Sequence, residues 1–89
     1  MSDFDQLLDG KYKVVRELGA GHFGRVLLAE DIVIPNRLVA IKVLKDQDPG
    51  RQKILLDEMT VLATLPNPSI VTFYHHFQSS GRLHLVMEY

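Results

Sequence analysis

The sequence predicts one small α+β domain of five strands and a single helix. Short β-prone runs occur in both halves of the chain, and one segment between them spaces its apolar residues as a helix does. Turn residues separate the runs. A chain of 89 residues suits a single domain, and no repeat or linker divides it.

The elements follow in the order three strands, one helix, two strands. The turn Pro35-Asn36-Arg37 precedes the third strand, the segment Asp46–Gly50 interrupts the sheet, and Pro66 stops the helix. Ser79-Ser80-Gly81 joins the last two strands. The predicted strands are 12–18, 25–31, 38–44, 70–77 and 82–87, and the predicted helix is 51–65.

Composition excludes several classes of function. Ten Lys and Arg against eleven Asp and Glu create no field that would attract nucleic acid or an anionic membrane, so neither is an expected partner. Without cysteine, the chain has no disulfide and no thiolate metal site. The N-terminal residues lack the basic region and apolar run of a signal peptide, and no stretch approaches the ~20 apolar residues of a membrane span. We therefore expect a soluble segment with a cytoplasmic location.

Three glycines lie between the first two predicted strands, at Gly19, Gly21 and Gly24. Glycine lets the backbone approach a phosphate without a Cβ atom in the way. A dinucleotide-binding loop has the same spacing, but it follows a buried strand and opens a helix. Here both flanks, 11–18 and 26–30, are β-prone. The spacing therefore predicts a hairpin that covers phosphates.

Glu58 and Lys42 are predicted to form an ion pair. Glu58 lies within about 60° of the helix's apolar stripe, so its carboxylate projects from that stripe and needs a partner. Lys42 is the lysine in the middle of an apolar strand. The alternative places Glu58 at the helix edge, in water. The residues of the stripe, which we expect to be buried, are Ile54, Leu55, Val61, Leu62 and Leu65.

The strand that carries Lys42 has two different faces. Strand geometry places Ala40 and Lys42 on one face and Val39, Ile41 and Val43 on the other. The first face is therefore small and cationic.

These motifs resemble those of the eukaryotic-type (Hanks-type) protein kinase family. Gly19 to Val26 meets the pattern Gly-x-Gly-x-x-Gly-x-Val, and 39–42 reads Val-Ala-Ile-Lys. The segments 66–71 and 86–89 are similar to the loop before the fourth strand of that family and to its hinge strand. Asn67-Pro68-Ser69 stands where the family often has His-Pro-Asn, and no His-Arg-Asp, Asp-Phe-Gly or Ala-Pro-Glu signature occurs. The resemblance implies a kinase N-terminal lobe over 12–89, with a five-stranded antiparallel sheet and one αC helix. This lobe would be cut at the hinge and preceded by a lead segment 1–11.

The resemblance also implies an ATP site. Lys42 and Glu58 would be the catalytic residues, with Lys42 on the α- and β-phosphates and Ala40 leaving room for adenine. Met87 would be the gatekeeper, and Glu88 would begin the hinge. The residues covering the nucleotide would be Leu18, Gly19, Ala20, Gly21, His22, Phe23, Gly24 and Val26.

Several of these side chains have a second interpretation. Leu18 and Val26 are also explained by ordinary sheet packing. Leu62 and Phe73 look like members of the family's packed column, and core packing explains them equally well. Phe23 could close over the phosphates or do nothing measurable. His84 is expected on the strand surface.

The resemblance implies transfer of the ATP γ-phosphate to a protein hydroxyl. The sequences that lead into the glycine loop and the hinge look more like those of Ser/Thr kinases, including bacterial ones. Mg²⁺ would be held by the nucleotide and the C-terminal lobe, which would also bind the protein substrate. The 89 residues alone are predicted to be inactive. The alternative is a non-catalytic, kinase-like interaction or regulatory module. Apolar surface near Val26, Ala40 and Met87 predicts self-association.

Overall fold

The computed structural model describes residues 7–64 and 72–89, and it describes side chains for 7–57 and 72–89. Its six strands form one antiparallel sheet in the order β1-β2-β3-β4-β6-β5. The predicted α+β architecture is confirmed. The elements are β1 (Leu7–Leu8), β2 (Tyr12–Gly21), β3 (Gly24–Asp31), β4 (Leu38–Leu44), α1 (Pro49–Thr64), β5 (Phe73–Ser79) and β6 (Arg82–Glu88).

Strand β1 is an addition to the five predicted strands. It consists of Leu7 and Leu8, which pair with Lys13 and Tyr12 of β2. Two residues are too short for a period-two pattern, so only the pairing with β2 identifies them as a strand.

Helix α1 begins at Pro49, two residues before the predicted start. Asp48 acts as its N-cap, since its Oδ1 accepts the Gly50 amide at 3.1 Å. Proline at the first helical position has the φ that a helix needs and loses no hydrogen bond there. The proline therefore belongs to the helix rather than to the preceding loop.

The prediction that Ile54 and Leu55 are buried was wrong. They are 60% and 38% exposed, and Leu56 and Gln52 face the sheet instead. Gln52 is buried; its Nε2 donates to the Asp46 carbonyl at 2.9 Å, and its Oε1 accepts Nε2 of Gln78 at 2.8 Å. These bonds set the rotation of the helix. The predicted stripe members Val61, Leu62 and Leu65 lie outside the described side chains.

The two faces of the sheet carry separate apolar clusters. The core face is defined by Val39, Ile41 and Val43, and its cluster extends to Tyr12 and Phe77. The site face is the opposite one, which carries Ala40 and Lys42. There Leu44, Leu83 and Leu85 pack with Leu56 of α1 and with Phe73 and Met87.

The sheet curls so that β2 and β5, which are not neighbours in the strand order, meet over the core face. The Tyr12 hydroxyl lies 2.5 Å from His75 Nε2, and the Tyr12 ring stacks with the rings of His75 and Phe77. Burial raises the pKa of Tyr12 above its ordinary value of 10.0, so the phenol stays protonated. This contact closes the sheet into a half-barrel.

A Tyr12→Phe variant is expected to lose about 1 kcal/mol of unfolding free energy, the usual net value of one hydrogen bond. The ring stacking is retained, so the loss isolates the hydroxyl. Urea denaturation measures it. Tyr74→Phe is the matched control because Tyr74 is partly exposed; an equal effect of the two changes would contradict the role of the Tyr12 hydroxyl.

The expectation that His84 is a surface residue was also wrong. It is 5% exposed on the core face and stacks on Phe77 with 4.7 Å between ring centroids. Burial lowers the pKa of His84 below its ordinary value of 6.5, and Arg25 and Arg82 lower it further, against a hydrogen bond to the Arg82 carbonyl. Strand alternation predicts the face on which His84 lies. It does not predict the rings that cover this face, which are Phe77 of β5 and, stacked on it, Tyr12.

The chain should therefore become less stable as the pH falls below about 6.5. There the unfolded state binds a proton at position 84 that the folded state does not yet accept, so stability rises with pH. Denaturant midpoints between pH 5 and 8 measure this dependence. The stability of His84→Phe should depend on pH less strongly than that of wild type. His76→Phe changes an exposed histidine, so it is the control and should keep the wild-type pH dependence. Equal pH profiles for wild type and His84→Phe would contradict the assignment.

Candidate functional site

Strand register brings the predicted nucleotide-binding residues of β3, β4 and β6 together. Val26 lies opposite Lys42, and Ala40 lies opposite Met87. All four side chains are half-buried. Val39, Ile41 and Val43 are fully buried on the other face, as the alternation predicts. The site face therefore combines a small residue, a cation and apolar walls.

The glycine segment forms the predicted hairpin. Gly21 pairs with Gly24, and His22 and Phe23 make the turn between them. Gly24 has φ +132°, and a Cβ atom at this position would overlap the carbonyl oxygen of Val43. Only glycine lets β3 pass this close to β4.

The tip of the hairpin is tied to the sheet and folded onto the site. The Lys45 amide donates to the Phe23 carbonyl at 2.9 Å. The Phe23 ring centroid lies 4.8 Å from Lys42 Nζ, and His22 meets the same ring edge-on. The ring thus lies beside the cationic end of the site, and its predicted closure over the phosphates stays a prediction. The tie through Lys45 uses backbone atoms, so no side-chain pattern could have signalled it.

The remaining hairpin residues differ in how much they constrain the backbone. Gly19 has open space around its Cα, whereas a Cβ on Gly21 would come within 3.0 Å of the Phe23 ring. The pairing of β2 with β3 is irregular between Glu17 and Gly19, so Leu18 lies at a bulge and is half-buried. Ala20 is exposed.

The hinge side of the site is the end of β6. Glu88 lies opposite Val39, and its amide donates to the Thr72 carbonyl at 2.8 Å. Met87 packs with Phe73 against the site-face cluster. Phe73 is half-buried there, and because both of its interpretations include such packing, its place in the packed column stays a prediction.

The predicted partner of Lys42 stays a prediction. Glu58 and Leu62 lie on α1, but their side chains are outside the described residues. Among the described side chains, Lys42 contacts the Phe23 ring and forms no ion pair. A cation beside an aromatic ring is held by only about 0.5 to 1 kcal/mol at an exposed site, so an anion can replace the ring.

A family model for the protein kinase domain matches residues 12–89 of the chain. This chain belongs to the protein kinase family. The glycine hairpin, the strand of Lys42 and helix α1 are thus parts of a kinase N-lobe, and the resemblance inferred from the motifs is confirmed.

Named relatives are Ser/Thr kinases or carry kinase in their names. Flippase kinase 1 of Saccharomyces cerevisiae is 46% identical over 81 residues, or 88% of this chain and 9% of that protein. The probable serine/threonine-protein kinase MARK-A of Dictyostelium discoideum is 37% identical over 82 residues, 90% of this chain and 8% of that one. The serine/threonine-protein kinase PknA of Nostoc sp. is 35% identical over 94 residues, 96% and 17% of the two chains.

A solved structure agrees with the fold. The PknI kinase domain of Mycobacterium tuberculosis superposes with a TM-score of 0.72 at 32% identity, covering 89% of this chain and 32% of that one. The chain thus spans about a third of a kinase domain and less than a fifth of each of the three relatives named above.

The described residues contain neither a membrane-spanning helix nor a cluster of metal ligands. Within 7–64 and 72–89, no helix has the length and apolar character needed to cross a membrane. The same part of the chain has no group of three or more His, Asp or Glu side chains arranged to hold a metal ion.

Proposed function

We propose that the chain is the ATP-binding lobe of a Ser/Thr protein kinase, which transfers the ATP γ-phosphate to a protein hydroxyl. The observation that carries the proposal is the register of β3, β4 and β6. It places Val26, Ala40 and Lys42 on one face, next to a hairpin whose backbone is free of Cβ atoms at three positions.

Each part of the site has one task in this proposal. Ala40 leaves space for the adenine ring between Val26 and Met87, and the backbone of the hairpin covers the phosphates. Lys42 binds the α- and β-phosphates as a point charge. The Phe23 ring, now 4.8 Å from the ammonium, gives way to the phosphates and then shields them from water.

Glu58 is proposed to orient Lys42. An ion pair with a carboxylate on α1 holds the ammonium at the phosphates and makes the position of the helix part of catalysis. Glu88 offers its carbonyl to the adenine. Leu18 covers the adenine ring from the bulge before Gly19. The glycine hairpin forms a lid over the phosphates, and this lid also contains Ala20, Gly21, His22 and Gly24.

The catalytic base, the Mg²⁺ ligands and the protein-substrate site are assigned to a C-terminal lobe. The sequence has no His-Arg-Asp or Asp-Phe-Gly signature, which supply the base and a metal ligand in this family. Mg²⁺ would reach the described part of this lobe only through the nucleotide. A need for ATP favours the cytoplasm as the place where the kinase works.

The chain alone should bind ATP weakly and transfer no phosphate. Titration of the labelled chain with ATP and Mg²⁺ should move the NMR signals of Val26, Ala40 and Lys42. An assay with [γ-³²P]ATP should show no transfer by the chain and clear transfer by the full-length native protein. Mg²⁺-dependent transfer by the purified chain would contradict its inactivity, and unmoved site-face signals would contradict ATP binding.

A second candidate function is a kinase-like interaction module that docks through α1. The exposed apolar side chains of Ile54 and Leu55 favour it. The intact glycines and Lys42 oppose it, since docking needs none of them. Analytical ultracentrifugation over a concentration series tests self-association: association abolished by Ile54→Glu would support docking through α1, and a strict monomer would count against it.

A further inference from the structure

A groove of about 340 Å³ opens on the core face of the sheet, behind the lid. Val43 lines it from β4, and four charged side chains surround it: Glu17, Arg25, Lys45 and Arg82. Because Val43 and Lys42 point to opposite faces of β4, the groove lies across the sheet from Lys42, and it shares the backs of Ala20 and Gly24 with the proposed ATP site.

The charges around the groove are predominantly positive, three cations against one carboxylate. The Arg82 Nη1 donates to the carbonyl oxygen of Lys45 at 3.1 Å, which holds the guanidinium close to the Lys45 backbone. Within the described part of the chain, the Lys45 ammonium takes part in no ion pair. A concave surface with an excess of positive charge concentrates the field and attracts an anion.

The positive charge around the groove affects the pKa of a neighbouring residue, His84. His84 lies opposite Val43 on β6 and is buried. Burial lowers the pKa of His84 most, a hydrogen bond to the Arg82 carbonyl opposes that change, and Arg25 and Arg82 lower the pKa further, so the positive charge of two groove residues acts on a side chain next to Val43.

We propose that this groove binds a phosphate-class oxyanion presented by a phosphorylated side chain of a peptide. An arginine fork and a lysine together suit a doubly charged phosphate, and the groove also has room for the residue that carries it. Its wall includes Ala20 and Gly24, so the bound peptide would lie against the back of the lid.

The test is an NMR titration of the ¹⁵N-labelled chain with three ligands at constant ionic strength. They are a phosphoserine peptide with alanine flanks, the same peptide without phosphate, and sodium phosphate. We expect the phosphopeptide to move the amide signals of Val43, Lys45 and Arg82 saturably, the unphosphorylated peptide to leave them unchanged, and phosphate to bind more weakly. Equal or tighter binding of free phosphate would overturn the assignment to a peptide, and shifts confined to Val26 and Lys42 would overturn the site.

Three variants separate the groove from general surface charge. Arg82→Gln should weaken phosphopeptide binding about tenfold, because it removes a charge-assisted contact. Glu17→Gln should tighten binding about threefold, a gain that misfolding cannot produce. Lys53→Gln, an equal charge change on the exposed side of α1, should have no effect. A loss with Lys53→Gln equal to that with Arg82→Gln, or no gain with Glu17→Gln, would overturn the proposal.

Discussion

A Gly24→Ala variant is expected to lose at least about 3 kcal/mol of unfolding free energy, a large part of the stability of a small domain. Two independent causes act together. Gly24 has φ +132°, where an L-residue is strained, and the new methyl group would overlap the Val43 carbonyl oxygen. Relief requires β3 and β4 to separate, and the half-barrel depends on that pair of strands.

Urea denaturation followed by circular dichroism measures the loss. Gly19→Ala is the matched control, since a Cβ at that position would have no heavy atom within 4 Å and the φ of Gly19 lies outside the left-handed range. That variant should stay within about 0.5 kcal/mol of wild type. Equal stability of the two variants would mean that β3 and β4 are not packed at Gly24 as the structure has them.

The second large effect is expected from Lys42→Met. In the full-length protein the change should reduce phosphotransfer by roughly 10²-fold or more, the order found when one electrostatic contact to developing charge is removed. In the isolated chain it should abolish the weak ATP response. Stability should fall by no more than about 1 kcal/mol, because among the described side chains the substitution removes the contact between the ammonium and the Phe23 ring.

Three measurements are needed: the transfer rate, nucleotide binding and the denaturation midpoint. Lys53→Met supplies the control, because Lys53 is an exposed lysine on α1 paired with Asp57. It should change none of the three. A Lys42→Met enzyme that keeps its transfer rate would remove Lys42 from the proposed site, whereas a collapse of stability would show that the lysine is structural.

The local pattern was sufficient for most of the elements and for the arrangement of the site. Alternation along 39–43 predicted which side chains share a face, because successive residues of a strand point in opposite directions. The glycine spacing and β-prone flanks predicted the hairpin. The same rules could not find β1, whose two residues are a strand only because β2 accepts them.

Long-range contacts account for the incorrect predictions. Ile54 and Leu55 were assigned to a buried stripe from spacing alone, but Gln52 and Leu56 turn the helix so that they are exposed. His84 was assigned to the surface, but Phe77, which lies opposite it in the β5–β6 pair, stacks on it, and the curl of the sheet brings Tyr12 onto Phe77. Periodicity gives the relative directions of neighbouring side chains, and it contains no information on what lies opposite them.

By itself, the sequence carried the motifs that resemble the kinase family. It also determined the order of the five predicted strands and the helix, and the face that carries Ala40 and Lys42, because these follow from residue type and local backbone geometry. Only the tertiary structure decided the rotation of α1, the closure of β2 onto β5, the position of Phe23 over Lys42 and the basic groove behind the lid. These features join residues far apart in the chain, so they depend on packing rather than on any pattern along it.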